Sequence, residues 1–251
     1  MISFHFKIVP AYLAYHMIVN TSPSRFVGNQ CDSAIVDFQN AAWHKDTEAN
    51  DFIRFGPQED TFIFGKSMEQ LSKRADALLK EMLSHQTFGS LLAETAQSLD
   101  LVRTEWESNF VKTNDMVSEM TGLELTRDVD VYLTHPKLKQ GHAGHGFICW
   151  AYRLTWPNYN TVYLWHEFLH LVLPGGDLEH AAIQLIADNE MRTRLNGGEY
   201  PPFEAHEEHK EMMTKLLPAW RDYLKRPQKD IHDFIDSARR RTETVQTDRK
   251  D

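Results

Sequence analysis

The run from Thr161 to Gly176, TVYLWHEFLHLVLPGG, limits this chain more than any other stretch. Val162, Leu164, Trp165, Phe168, Leu169, Leu171, Val172 and Leu173 make it a buried helix, yet His166, Glu167 and His170 sit in its middle. Burying three ionisable side chains is costly unless something pairs them. Positions i and i+4 share a helix face, so His166 and His170 can present ring nitrogens to one metal ion. Glu167 lies about a quarter turn away, close enough to hold a water on that ion without being a ligand. Imidazole nitrogens in a tetrahedral site suit Zn²⁺. Ordinary hydrogen bonding of the three side chains is the competing explanation.

A catalytic zinc needs a third protein ligand and an open fourth position. Pro174-Gly175-Gly176 ends the helix, and Asp177 is placed to cap the next one. That helix is expected to run to about Leu195, with Asn196, Gly197 and Gly198 as its stop. It carries Glu190 on the same side as Ile183, Ile186 and Ala187 if each residue advances by about 100°. A carboxylate on a core-facing stripe demands a cation, which makes Glu190 the expected third ligand. His180, on another face beside the tight turn, competes with it, as do the oxygen donors Asp177 and Asp188.

Before this region the chain reads mostly helical. Residues 2–9 suggest a short strand and 10–19 a helix with Pro10 in its first turn. The apolar run Ile8–Val19 is too short to span a bilayer. Asp32 can cap a helix carrying Ile35, Val36, Phe38 and Trp43. Residues 52–67 look irregular, and FIFGKS fails as a phosphate loop because Asp60 stands where glycine is needed. Helices are expected over 67–84, 91–109 and 111–120, ending at Gly122. After it, 129–136 alternates Val129, Val131 and Leu133 as a strand closed by proline, 137–146 is a glycine loop, and 147–156 (FICWAYRLTW) reads as a second strand. Two further helices are expected near 204–225 and 228–240, the latter ending in a solvated basic run, Arg239–Arg241. The division follows at Gly122: a mostly helical region of residues 1–122, then residues 123–251 with the motif.

The 251 residues carry a formal charge of -9 and are 41% hydrophobic, an ordinary globular composition. That charge argues against nucleic acid or an anionic membrane as the main partner. Two cysteines, Cys31 and Cys149, form no CxxC and are expected to be buried free thiols. With no clear propeptide, a cytoplasmic location is the expectation.

HEFLH followed by Asn189-Glu190 and Thr193 resembles the gluzincin branch of the zincin metallopeptidases, whose third ligand is the glutamate of an N-E-x-x-[ST]-D segment. The resemblance covers roughly residues 129–195. Arg194 departs from it, standing where the family has an aspartate that orients a ligand histidine, so that role falls to Asp188 or a backbone carbonyl. The longer metzincin pattern fails at Gly176. The resemblance implies an α+β, predominantly helical fold with a zincin-like catalytic domain: a small sheet, an active-site helix and a glutamate helix. It implies zinc held by His166, His170 and Glu190, with Glu167 taking a proton from water and returning it to the leaving amine. It also implies an edge strand above the active-site helix that pairs with an extended peptide, for which FICWAYRLTW is the candidate. An oxyanion donor is sought at Tyr200 or His206, with His209, His142 and His145 as further candidates. The expected function is zinc-dependent hydrolysis of peptide bonds in a peptide or protein substrate. Two alternatives stand beside it: a zincin-scaffold regulatory or binding protein acting on one partner, and a zinc hydrolase of a non-peptide amide.

Overall fold

The structure is a computed structural model that describes residues 2–22, 25–26, 31–56, 62–63, 66–138, 141–144, 146–204 and 206–247. The chain is mostly helical around one small mixed sheet. Strand β1 (Ser3–Lys7) leads into α1 (Pro10–Val19), α2 (Ser33–Lys45) and α3 (Thr47–Phe55). A two-residue hairpin, β2 (Phe62–Ile63) and β3 (Lys66–Ser67), precedes α4 (Met68–Met82) and the long α5 (Phe88–Thr121). Asp32 caps α2 as its sequence suggested, accepting from the backbone N–H of Ala34 and Ile35 at 3.0 and 3.2 Å. The two helices expected over 91–109 and 111–120 are one. Thr113, just past the expected break, is helical and turns its hydroxyl back onto the Asn109 carbonyl at 3.0 Å. Gly122 stops α5 at φ +72°, and a side chain at this position would also collide with the Lys229 carbonyl.

Next come β4 (Asp128–Thr134), β5 (His142–Gly144) and β6 (Phe147–Ala151), in the sheet order β1-β4-β6-β5. The first three run parallel, and β5 folds back antiparallel on β6 at the edge. Val129, Val131 and Leu133 of β4 point into the core, the alternation that their spacing predicts. Strand β6 is shorter than 147–156 and has neighbours on both sides, so it is not the free edge. That place belongs to β5, inside the stretch read as a loop.

Helix α6 (Tyr159–Val172) follows, then α7 (Asp177–Gln184), a π-helical segment (Leu185–Met191) and α8 (Arg192–Asn196) in unbroken succession. Gly176, not Asp177, is the N-cap of α7, and its backbone N–H donates to Glu179 Oε2 at 2.9 Å. A 3₁₀ turn (Glu207–His209), α9 (Lys210–Leu224) and α10 (Ile231–Thr247) complete the fold.

Residues 1–122 are tied to the rest of the chain. Strand β1 is the parallel partner of β4, and Ile2, Val102, Trp106, Val117 and Met120 share one core with Val131, Trp165 and Phe168. A second core, built from Leu13, Met17, Ile35, Phe38, Leu78 and Leu91, closes over Leu138 from the later half. Both cysteines are free, with Cys149 buried as expected and Cys31 exposed. Among the described residues no helix is long and apolar enough to cross a membrane.

Candidate metal centre

Helix α6 is held from behind by α5. Glu105 accepts from the Thr161 backbone N–H and from Asn160 Nδ2, both at 2.8 Å, supplying a carboxylate at the helix N-terminus where the dipole favours one. Trp165 Nε1 donates to Thr113 Oγ1 at 2.7 Å, and Arg127 donates to the Leu171 carbonyl near the other end at 2.8 Å. With Val162, Trp165, Phe168 and Leu169 filling the core, the opposite side of α6 carries His166, Glu167 and His170.

The imidazoles of His166, His170 and His180 each bring a nitrogen to within 4.8 Å of the other two, and no other such trio of metal-ligating side chains exists among the described residues. Nε2 of His166 and Nε2 of His170 are 3.2 Å apart. Behind His166, Asp188 Oδ1 accepts a hydrogen bond from Nδ1 at 2.9 Å, which turns Nε2 toward His170. Asp188 is almost wholly buried. Burial works to lower the pKa of His166, but the charge and hydrogen bond of Asp188, helped by Glu167, outweigh it and raise the pKa. His170 is pushed down to about 4 and His180 to about 3, in both cases by burial first and by neighbouring imidazoles second. Both rings are therefore neutral near pH 7 and able to ligate.

Gln184 stands one turn after His180 and is fully buried. Its amide nitrogen lies 3.3 Å from His180 Nε2, and its Oε1 has no hydrogen-bond partner. The amide group is thus directed at the third imidazole.

Glu167 is buried beside this group, and burial raises its carboxyl pKa to about 7, with His166 opposing and Asp188 reinforcing the rise. The Ala143 backbone in β5 hydrogen-bonds it. Immediately before β5 the chain crosses so close that a Cβ on Gly141 would lie 2.5 Å from Glu167 Oε1 and 2.4 Å from the Trp150 ring. Only glycine lets the edge strand approach the carboxylate this closely.

The expected third ligand is elsewhere. Glu190 accepts from Arg194 Nε at 2.8 Å and from the Tyr200 hydroxyl, and Arg194 also reaches Glu119 at 2.9 Å. The cause is the π-helical segment: a π turn takes in about one more residue than an α turn, so the phase that put Glu190 in line with Ile183 is lost before residue 190. The cation that Glu190 needed is a guanidinium. Tyr200 is bound to Glu190 and accepts from Trp220 Nε1 at 3.2 Å, which places it in this polar network and not beside the imidazoles. His206 does approach the site, its ring centred 5.3 Å from that of His180, and buried His209 is closer at 4.4 Å. His142 is exposed on β5, with its charge felt at His170. His145 lies outside the described residues.

These donors fit a zinc ion: three imidazoles, two of them held neutral and the third oriented by a buried carboxylate, beside the buried carboxyl of Glu167. The sequence offered His180 as a competing ligand beside the tight turn and Asp188 as a candidate to orient a ligand histidine, and the structure brings both to the group. Gln184 carried no signal at all. Compared with protein-family models, with curated proteins and with solved structures, the chain matches none.

Proposed function

We propose that the protein is a zinc-dependent metallopeptidase whose ion is held by His166, His170 and His180. The observation that carries this reading is the meeting of three imidazoles with a buried glutamate whose pKa is raised to about 7. Three imidazole nitrogens drawn this close together, with two of the rings held neutral, can gain from a cation between them. Zinc supplies Lewis acidity to a carbonyl and lowers the pKa of a coordinated water toward ~7.

The chain's own residues do the rest. Asp188 fixes the tautomer of His166. Glu167, buried beside the imidazoles, takes a proton from the attacking water and returns it to the leaving amine. The free edge of β5, running past Glu167, offers backbone groups for an extended peptide to pair with, which sets the scissile carbonyl over the imidazoles. In this reading histidine takes the place that the gluzincin resemblance gave to Glu190. His206, exposed beside His180, is the better of the two oxyanion candidates because Tyr200 is committed to Glu190.

The test is elemental analysis of zinc in the wild type, His180→Ala and Glu190→Gln, followed by hydrolysis of unstructured casein with and without chelator. Near one zinc in the wild type and Glu190→Gln, with loss in His180→Ala, supports the ligand set. Chelator-sensitive cleavage that Glu167→Gln abolishes supports the reaction. Zinc without turnover on any peptide would hand the site to the partner-restricted or non-peptide amide alternative, and no zinc in the wild type would end the reading.

A further inference from the structure

The metal-facing side of α6 does not stop at His166. Tyr159, Tyr163, His166 and His170 recur at intervals of four, three and four residues and so share a helix face. The Tyr163 ring is centred 5.8 Å from His166 and 4.6 Å from Tyr159, and Trp156 lies 4.9 Å from Tyr159 and 6.1 Å from Tyr163. Buried Trp150 stacks behind Tyr163 at 5.9 Å. Trp156, Tyr159 and Tyr163 are only half-buried, whereas Trp165 and Phe168 on the opposite side of the helix are fully enclosed. The cation at this surface is already paired: Arg192 sits 5.0 Å over the Trp156 ring and bonds Glu204 at 3.1 Å. Burial holds the Tyr163 hydroxyl protonated, so the ring adds no charge. What remains is a neutral, partly wet aromatic wall beginning at the first imidazole. Such a surface binds apolar and aromatic groups through their faces and the area they remove from water.

We infer that this wall receives an aromatic or large apolar side chain next to the bond cleaved, so that the substrates are peptides carrying such a residue at the cleavage point. The inference rests on the metallopeptidase reading: a carbonyl held at the imidazoles has its neighbouring side chain within reach of Tyr163. Trp156 and Tyr159 extend the contact away from the metal, which makes them specificity-determining residues without a part in proton transfer.

Two hydroxamates test this by calorimetric titration of the zinc-loaded full chain. Acetohydroxamate reports the metal alone, and 3-phenylpropanohydroxamate adds the aromatic group. The phenyl compound is expected to bind at least about tenfold more tightly, the return of one well-placed aromatic contact. In Trp156→Ala and in the milder Tyr159→Leu, each checked by circular dichroism, that ratio is expected to fall toward one. Equal affinities for the two compounds in zinc-loaded wild type would overturn the inference and leave the metal site standing. A preference that survives in both variants would also overturn it. A protein that retains no zinc and binds neither compound would remove the metallopeptidase reading, and this inference with it.

Discussion

His135 and the group of His166, His170 and His180 are both withdrawn from water, yet their compensation differs. His135 is fully buried, accepts from the Lys137 backbone N–H at Nδ1 (3.3 Å) and turns Nε2 to Glu94 at 3.3 Å. Lys137 reaches Asp32 at 2.5 Å and Glu94 at 3.3 Å, so the ring sits within an ion-pair network, although its Nε2 makes no aligned hydrogen bond. The other group faces its rings toward one another, with Nε2 of His166 and His170 only 3.2 Å apart. Asp188 satisfies the outer nitrogen of His166 and thereby directs the inner nitrogen at its neighbours. The first ring turns its second nitrogen toward a carboxylate, whereas the second group turns its nitrogens toward one another, an arrangement that a cation could join. Burial by itself therefore says little about a histidine; the direction of its second nitrogen says more.

The comparison breaks most decisively through metal content. His170→Ala and His180→Ala are expected to reduce zinc from near one per chain to a trace, while His135→Gln keeps it, as read by elemental analysis after gel filtration. Almost as large is the effect of Glu167→Gln, in which zinc stays and peptide hydrolysis falls by about 10²–10⁴, the usual worth of a general base. A loss of zinc in that variant would make Glu167 a ligand and overturn its assignment.

Gly141→Ala sharpens the same distinction from the strand side. Its Cβ would meet Glu167 and Trp150, so the carboxylate or the strand is displaced, and turnover is expected to fall by about 10²-fold with zinc retained. Asp188→Asn should weaken zinc affinity by about 10–100-fold in a competition titration, because His166 loses the partner that fixes its tautomer. Glu190→Gln should leave zinc alone and cost about 1.5–3 kcal/mol of stability through its bonds to Arg194 and Tyr200, measured by urea unfolding.

The smallest effect concerns pH. His170 and His180 have pKa values of about 4 and 3 in the folded, metal-free chain, and burial also lowers that of His135. An unfolded chain takes up these protons near pH ~6.5, while the folded rings refuse them. The unfolded state then binds more protons, so stability falls as pH drops below ~6.5 and levels off below the folded values. The urea midpoint of metal-free protein is expected to decline from pH 7 to 4.5, less steeply in His135→Gln. Glu167, with its pKa raised to about 7, and His166, whose pKa is also raised, take up protons in the folded state and partly offset the decline; a midpoint that rises from pH 7 to 4.5 would mean that the rings are not buried as described.

Local features came through the sequence well. The shared face of His166 and His170 depends on four residues of helix, the Asp32 cap on three, and the burial of Val129, Val131 and Leu133 on simple alternation. Each is settled by backbone geometry within a turn or two, and tertiary packing had only to keep it. Residues distant along the chain needed the fold. That β1 lies beside β4, that β5 and not β6 is the open edge, and that residues 1–122 share a core with the motif all depend on strand pairing across long separations. A three-residue strand of His, Ala and Gly has no periodicity to betray it. The third imidazole was decided in the same way. Glu190 was chosen by extending a uniform α-helical phase over twenty residues, and a π-helical segment shifted that phase. The sequence by itself determined that two imidazoles and a glutamate share one side of a helix; the tertiary structure decided which third side chain meets them, because angular error accumulates along a helix while packing in space does not depend on the count.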